Sequence, residues 1–117
     1  MEILFRNNTH ETRYHEILSK MKSQDCYHKE LAYLFTLDDD CYNHIDLLFS
    51  FSDDGIIVDG IHGGWHTSSS KRTVRLAFNL WNNFIDPDSA VNSTPTELFS
   101  GSFVEYYFCA ITLRFNG

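Results

Sequence analysis

The sequence predicts a mainly α protein, one compact single-domain bundle of four to six helices over residues 1–117, with at most one short β-hairpin near residues 49–58. Three observations carry that expectation. A chain of 117 residues suits one domain with a real core. Apolar residues recur at helical spacing in several stretches, and helix-start signals precede several of them. Ten Phe, six Tyr and two Trp supply large rings to fill the interior.

Taken in order, Thr9 is placed as an N-cap, with Phe5 upstream able to fold back on the first turn. Tyr14, Ile17, Leu18 and Met21 then mark the buried face of a helix over about residues 10–22, with Lys20 and Lys22 suiting the dipole at its end. Asp25 caps a second helix, whose apolar face is Leu31, Leu34 and Phe35 with Tyr27 a turn earlier. The Asp38-Asp39-Asp40 run opens a third, burying Ile45, Leu48 and Phe49.

Residues 49–58 admit two readings. Asp54-Gly55 between alternating apolar residues signals a hairpin. Helix continuity instead ends a helix near Phe51 and runs on as an extended connector to Gly60, and this reading is preferred. Gly60, Gly63 and Gly64 break the backbone, and Trp65 plugs the core beside the break. One of Ser68, Ser69 and Ser70 caps a helix over residues 70–84, where Val74, Ala77, Phe78, Trp81 and Ile85 follow at 3.6-residue spacing. This helix is expected in the middle of the bundle.

Residues 86–93 read as a polar loop. Thr94-Pro95-Thr96-Glu97 is a helix start, with Thr94 as N-cap, Pro95 in the first position and Glu97 closing a capping box. The tail from Phe103 to Phe115 is apolar all round and reads either as a buried helix or as a central strand. Trp65, Phe78, Trp81, Phe103, Phe108 and Ile111 are expected in the core.

Charge is unevenly spread. The net charge is −7, yet residues 30–70 hold eight acids (Glu30, Asp38, Asp39, Asp40, Asp46, Asp53, Asp54 and Asp59) and no Lys or Arg. Such a surface repels nucleic acid and attracts basic partners. The three cysteines have no pairing pattern and read as reduced thiols. With no signal-peptide pattern and no stretch near the ~20 apolar residues of a membrane span, the expected location is cytoplasmic, without membrane contact.

The block Gly64-Trp65-His66-Thr67, followed by Thr73-Val74-Arg75-Leu76-Ala77-Phe78-Asn79-Leu80-Trp81-Asn82, resembles the signature of a family of small uncharacterised proteins from bacterial phages and mobile elements. Thr94-Pro95, Glu97-Leu98-Phe99 and Ala110-Ile111-Thr112-Leu113-Arg114 resemble that family's C-terminal part. The chain departs from the pattern at His66, where a longer amide residue is expected, and after Phe115. The resemblance implies a mobile-element origin and brings no biochemical activity with it. Small proteins of such elements are often inhibitors of host defence, anti-CRISPR proteins among them.

Four sets of residues are candidate sites. The first is the acidic set Asp38, Asp39, Asp40, Asp46, Asp53, Asp54 and Asp59, read as a face that docks on a basic surface of a host protein such as a CRISPR effector or another defence nuclease. On this reading the protein is a non-enzymatic inhibitor, without a cofactor and without direct nucleic-acid binding. The alternative is an anion- or nucleotide-binding domain, or an enzyme acting on a small phosphorylated molecule. It uses Ser69, Ser70, Lys71, Arg72 and Arg75 at a helix N-terminus, where cations oppose the dipole and so call for a purpose. Cys26, His28, Cys41 and His44 are the only zinc candidates, but their spacing departs from known zinc frameworks and no metal is expected. A catalytic reading would recruit His62, His66 and Cys41 or Cys109, and no motif joins them.

Overall fold

The structure is a computed structural model that describes residues 2–85 and 94–116. The loop expected over 86–93 lies outside the described residues. Helix α1 (Asn8–Lys20) starts two residues earlier than the periodicity implies, because Asn7 rather than Thr9 is its cap and its side chain accepts from the His10 amide. Asp25 caps α2 (Cys26–Leu37) as expected, and Asp38 caps α3 (Asp39–Asn43), taking the Asp40 and Cys41 amides.

Helix α2, and not the helix over 70–84, occupies the middle of the bundle. Nine of its twelve residues are buried, and α1, α3, α4 (Ser68–Asn82) and α6 (Val104–Asn116) all pack on it. Its buried set includes His28, Glu30 and Thr36, polar residues that mask the central position when only apolar spacing is read. The tail therefore resolves as a helix: α6 must lie along α2, and a helix meets its own backbone hydrogen bonds without sheet partners.

Residues 44–66 form an arm of short elements. After α3 the chain makes a 3₁₀ turn at Ile45–Leu47, then a two-stranded antiparallel hairpin, β1 (Phe49–Ser50) with β2 (Gly55–Ile56), in which Phe49 faces Ile56 and Ser50 faces Gly55. This overturns the preferred connector reading. Helix continuity is lost at Asn43, while Asp54 sits in the left-handed region (φ 55°), a conformation Asp tolerates in tight turns. A second 3₁₀ stretch, Val58–His62, brings Gly60 so close to the Leu47 carbonyl that a β-carbon there would collide with it.

Thr67, not one of the three serines, caps α4. Its hydroxyl accepts the Ser70 amide while Ser70 Oγ accepts the Thr67 amide, a reciprocal capping box. Asn83 ends the helix in the left-handed conformation (φ 64°), leaving Ile85 beyond it and exposed. A short α5 (Pro95–Leu98) opens with Pro95 in its first turn and leads to α6. Among the described residues the fully buried Phe and Tyr side chains include Tyr33, Phe35, Phe49, Phe78 and Tyr107. Of the rings and aliphatics expected in the core, Phe78 is there; Trp65, Trp81, Phe103 and Ile111 are half-buried against it, and Phe108 is 55% exposed. Phe108 lies on the outward side of α6, stacked on Phe99.

Candidate functional site

The acidic stretch separates into two groups once side-chain partners are followed. Glu30 is fully buried with neither carboxyl oxygen hydrogen-bonded among the described residues, and burial holds its pKa well above the ordinary value, against the opposing field of Arg114. Asp38 is buried as the α3 cap and also accepts from Ser69 Oγ at 3.2 Å, which ties α3 to α4. Asp39 pairs with Arg13 at 2.7 Å, and that guanidinium lies over the Tyr42 ring. Asp54 accepts from His28 Nε2 at 2.7 Å, while Asp25 holds His28 Nδ1 at 2.6 Å.

That two-carboxylate clamp fastens the hairpin turn to the start of α2. Burial of the His28 ring opposes its charge, but the two carboxylates outweigh it and the pKa is raised. Sequence reading missed the clamp. The Asp25–His28 spacing was a local signal for it, but Asp54 reaches His28 only through tertiary structure.

Asp46, Asp53 and Asp59 are exposed, and Asp40 is half-buried. Asp46 and Asp59 border a cavity of about 230 Å³ whose walls include Leu47, Ile57, Gly60 and Trp65. Beside it Leu47 is 52% exposed and Val58 41% exposed. Trp65 is held by stacking on His44 (ring centroids 4.2 Å apart, planes 6° apart) and on His66 (3.7 Å, 28°). His44 Nδ1 donates to the Asp40 carbonyl, so the ring plane is fixed. The Trp65 indole N–H is buried with no hydrogen-bond partner among the described residues. Acid rim, apolar wall and fixed ring thus meet on the arm.

At the start of α4 the cationic side chains gather in a cleft of about 210 Å³ lined by Ser68, Lys71, Arg72, Arg75 and Glu97. Two of the expected anion-binding hydroxyls turn away from this role. Ser69 donates to Asp38, and Ser70 is buried in the capping box, so Ser68 supplies the hydroxyl that lines the cleft. Arg72 Nε donates to the Glu97 carbonyl at 3.0 Å. Among the described residues no carboxylate lies within ion-pairing distance of Lys71, Arg72 or Arg75.

The zinc candidates are held apart by other bonds. Cys41 donates to the Ser70 carbonyl, His28 is clamped by Asp25 and Asp54, His44 stacks on Trp65, and Cys26 lies 4.0 Å from Arg114 Nη1. Among the described residues no group of three or more His, Cys, Asp or Glu side chains converges as a metal site. The catalytic candidates fare similarly. The Cys41 thiol is buried and its pKa pushed well above the ordinary value by burial and by Asp38 and Asp40, which disfavours the nucleophilic thiolate. His66 does meet a hydroxyl: Nδ1 lies 2.8 Å from Ser70 Oγ and Nε2 lies 2.7 Å from the Gly60 carbonyl. This Ser–His pair was not anticipated. Its serine has 0% exposure, so no substrate reaches the oxygen, and the pair serves to hold the arm against α4.

Along residues 1–117 the sequence matches the model of a family described as "Family of unknown function (DUF6075)". The chain belongs to that family. No curated protein matches it and no solved structure does. Family membership accounts for the whole chain as one unit and assigns no activity, so the candidate surfaces rest on their geometry. No helix among the described residues is long and apolar enough to cross a membrane.

Proposed function

We propose that this is a non-enzymatic binding protein whose working surface is the arm, docking on a basic surface of another protein. The observation that carries the reading is the Asp46- and Asp59-rimmed cavity walled by Leu47, Ile57 and Trp65. An interface core is apolar with anchor pockets, and its rim is charged; the arm offers both in one place. A Lys or Arg of the partner suits the cavity, its aliphatic stem against Leu47 and Ile57 and its head between the two carboxylates. Asp53, exposed at the hairpin turn, extends the negative field and would speed encounter with a positive surface.

The partner class that fits is a nucleic-acid-handling protein, since such proteins carry basic grooves. Inhibition of a host defence effector, including a CRISPR effector, by a protein of phage or mobile-element origin is the specific form of this proposal. It rests on the acidic arm and on the signature resemblance of residues 64–82.

The proposal is tested by capture from a bacterial lysate on immobilised wild-type protein and on the triple variant Asp46→Asn, Asp53→Asn, Asp59→Asn. The expected result is a basic protein held by the wild type, released by moderate salt and lost with the triple variant. A partner retained equally by the triple variant, or no specific partner at all, overturns it.

A further inference from the structure

We propose that the cleft at the start of α4 binds a phosphate-type oxyanion: inorganic phosphate, or the phosphoryl group of a small phosphomonoester. This inference stands apart from the docking surface. Lys71, Arg72 and Arg75 line one small concavity, and among the described residues none of them has a carboxylate within ion-pairing distance. The chain carries 16 acidic residues against nine basic ones, so cations left unpaired here are not for want of acids. Arg75 lines the cleft, and its Nε is buried with no hydrogen-bond partner among the described residues. Like charges gathered in a partly dry site repel one another, and the attraction of each to a bound anion offsets that repulsion.

The local geometry prepares the cleft. Arg72 is positioned by its bond to the Glu97 carbonyl and by Gly101, where a β-carbon would stand 2.5 Å from its guanidinium nitrogen. Planar guanidinium forks match phosphate oxygens two at a time, and Ser68 adds a hydroxyl. A volume of about 210 Å³ falls below the ~300–1,000 Å³ of sites that engulf drug-sized ligands. It suits one charged group with the remainder of the ligand outside. Glu97 lines the same cleft and is its one acidic member among the described residues, against three cations.

The experiment is calorimetric titration of the full chain with sodium phosphate and, separately, glycerol phosphate, at constant ionic strength, with acetate as the control anion. Saturable binding of phosphate is expected, weakened about tenfold or more by Lys71→Gln and by Arg75→Gln, the loss from removing one charged hydrogen-bond donor. Lys20→Gln, on α1, should leave it unchanged. If Arg75→Gln fails to fold by circular dichroism, Lys71→Gln alone decides. Binding of both phosphate and the ester assigns the phosphoryl group of a phosphomonoester as ligand; binding of phosphate alone assigns the free anion. No saturation with either, equal binding of acetate, or an undiminished affinity in Lys71→Gln overturns the proposal.

Discussion

The arm over residues 44–66 and the cleft at the start of α4 lie on either side of Thr67, yet they use charge in opposite ways. In the acidic window several carboxylates are drawn into the fold: Asp38 caps a helix, Asp54 clamps a histidine, Asp39 meets Arg13 and Glu30 is sealed inside. In the cleft three cations lie close together without a carboxylate partner among the described residues. Charge density along a sequence therefore does not measure how much charge a surface leaves unpaired. What matters is whether a charge has an internal partner, and by that measure the acidic face contracts to Asp46, Asp53 and Asp59 with half-buried Asp40.

Substitutions that remove an internal partner should test this division most severely. Asp54→Ala leaves the His28 ring without one of its two carboxylates and should cost about 2–3 kcal/mol, measured by urea unfolding at pH 6. It should also change the pH profile. The raised folded pKa of His28 means its stabilisation is complete below the unfolded value of 6.5 and is lost as pH rises through the folded value. His10 and His66 act in the other direction. Burial first, and then neighbouring cations, lower their pKa values against opposing hydrogen bonds to the Tyr33 and Gly60 carbonyls. Their stabilisation is complete above 6.5 and lost as pH falls through their folded values. Urea midpoints of the wild type should peak near pH 6.5, and Asp54→Ala should flatten the alkaline side of that peak.

Glu30→Leu sharpens the comparison from the opposite side. A buried carboxyl with no hydrogen bond among the described residues is a burden to the fold, so the substitution should stabilise it by about 2 kcal/mol at pH 7, read as a higher urea midpoint. Asp38→Ala removes a cap and the link to Ser69 and should cost about 1–2 kcal/mol by the same measurement. Smallest is the effect of neutralising Asp46, Asp53 and Asp59 together, which should stay within about 0.5 kcal/mol of wild type.

Much of the fold was readable where the deciding interaction is local. Asp25 and Asp38 announce helix starts because a cap bonds amides two or three residues on, and α4 shows its face through simple periodicity. Some failures come from a local choice between caps, and others come where distant contacts decide. One local failure is at α4: one of Ser68, Ser69 and Ser70 is expected as its cap, but Thr67 caps it and Ser70 is the reciprocal member of its box. Helix α2 did not look central because His28, Glu30 and Thr36 interrupt its apolar pattern although all three are buried. The hairpin is not decided by local sequence, because nothing local reveals that Asp54 is anchored to His28, 26 positions earlier.

The sites followed the same division. Lys71, Arg72 and Arg75 were legible as a cluster, since close spacing along one helix ensures proximity. The cavity at Trp65 was not. It needs Asp46, Ile57 and Asp59 brought together by the hairpin and the close passage of Gly60 past Leu47. Trp65 itself was expected as a core plug; it is instead a half-buried wall stacked on two histidines.

The most direct test of the account takes one preparation of the Asp46→Asn, Asp53→Asn, Asp59→Asn variant through two readings, its urea midpoint and its capture of the wild-type partner. An unchanged midpoint with capture abolished is the predicted result. A lowered midpoint with capture intact would mean that the exposed acids serve the fold and that the partner, if any, is met elsewhere.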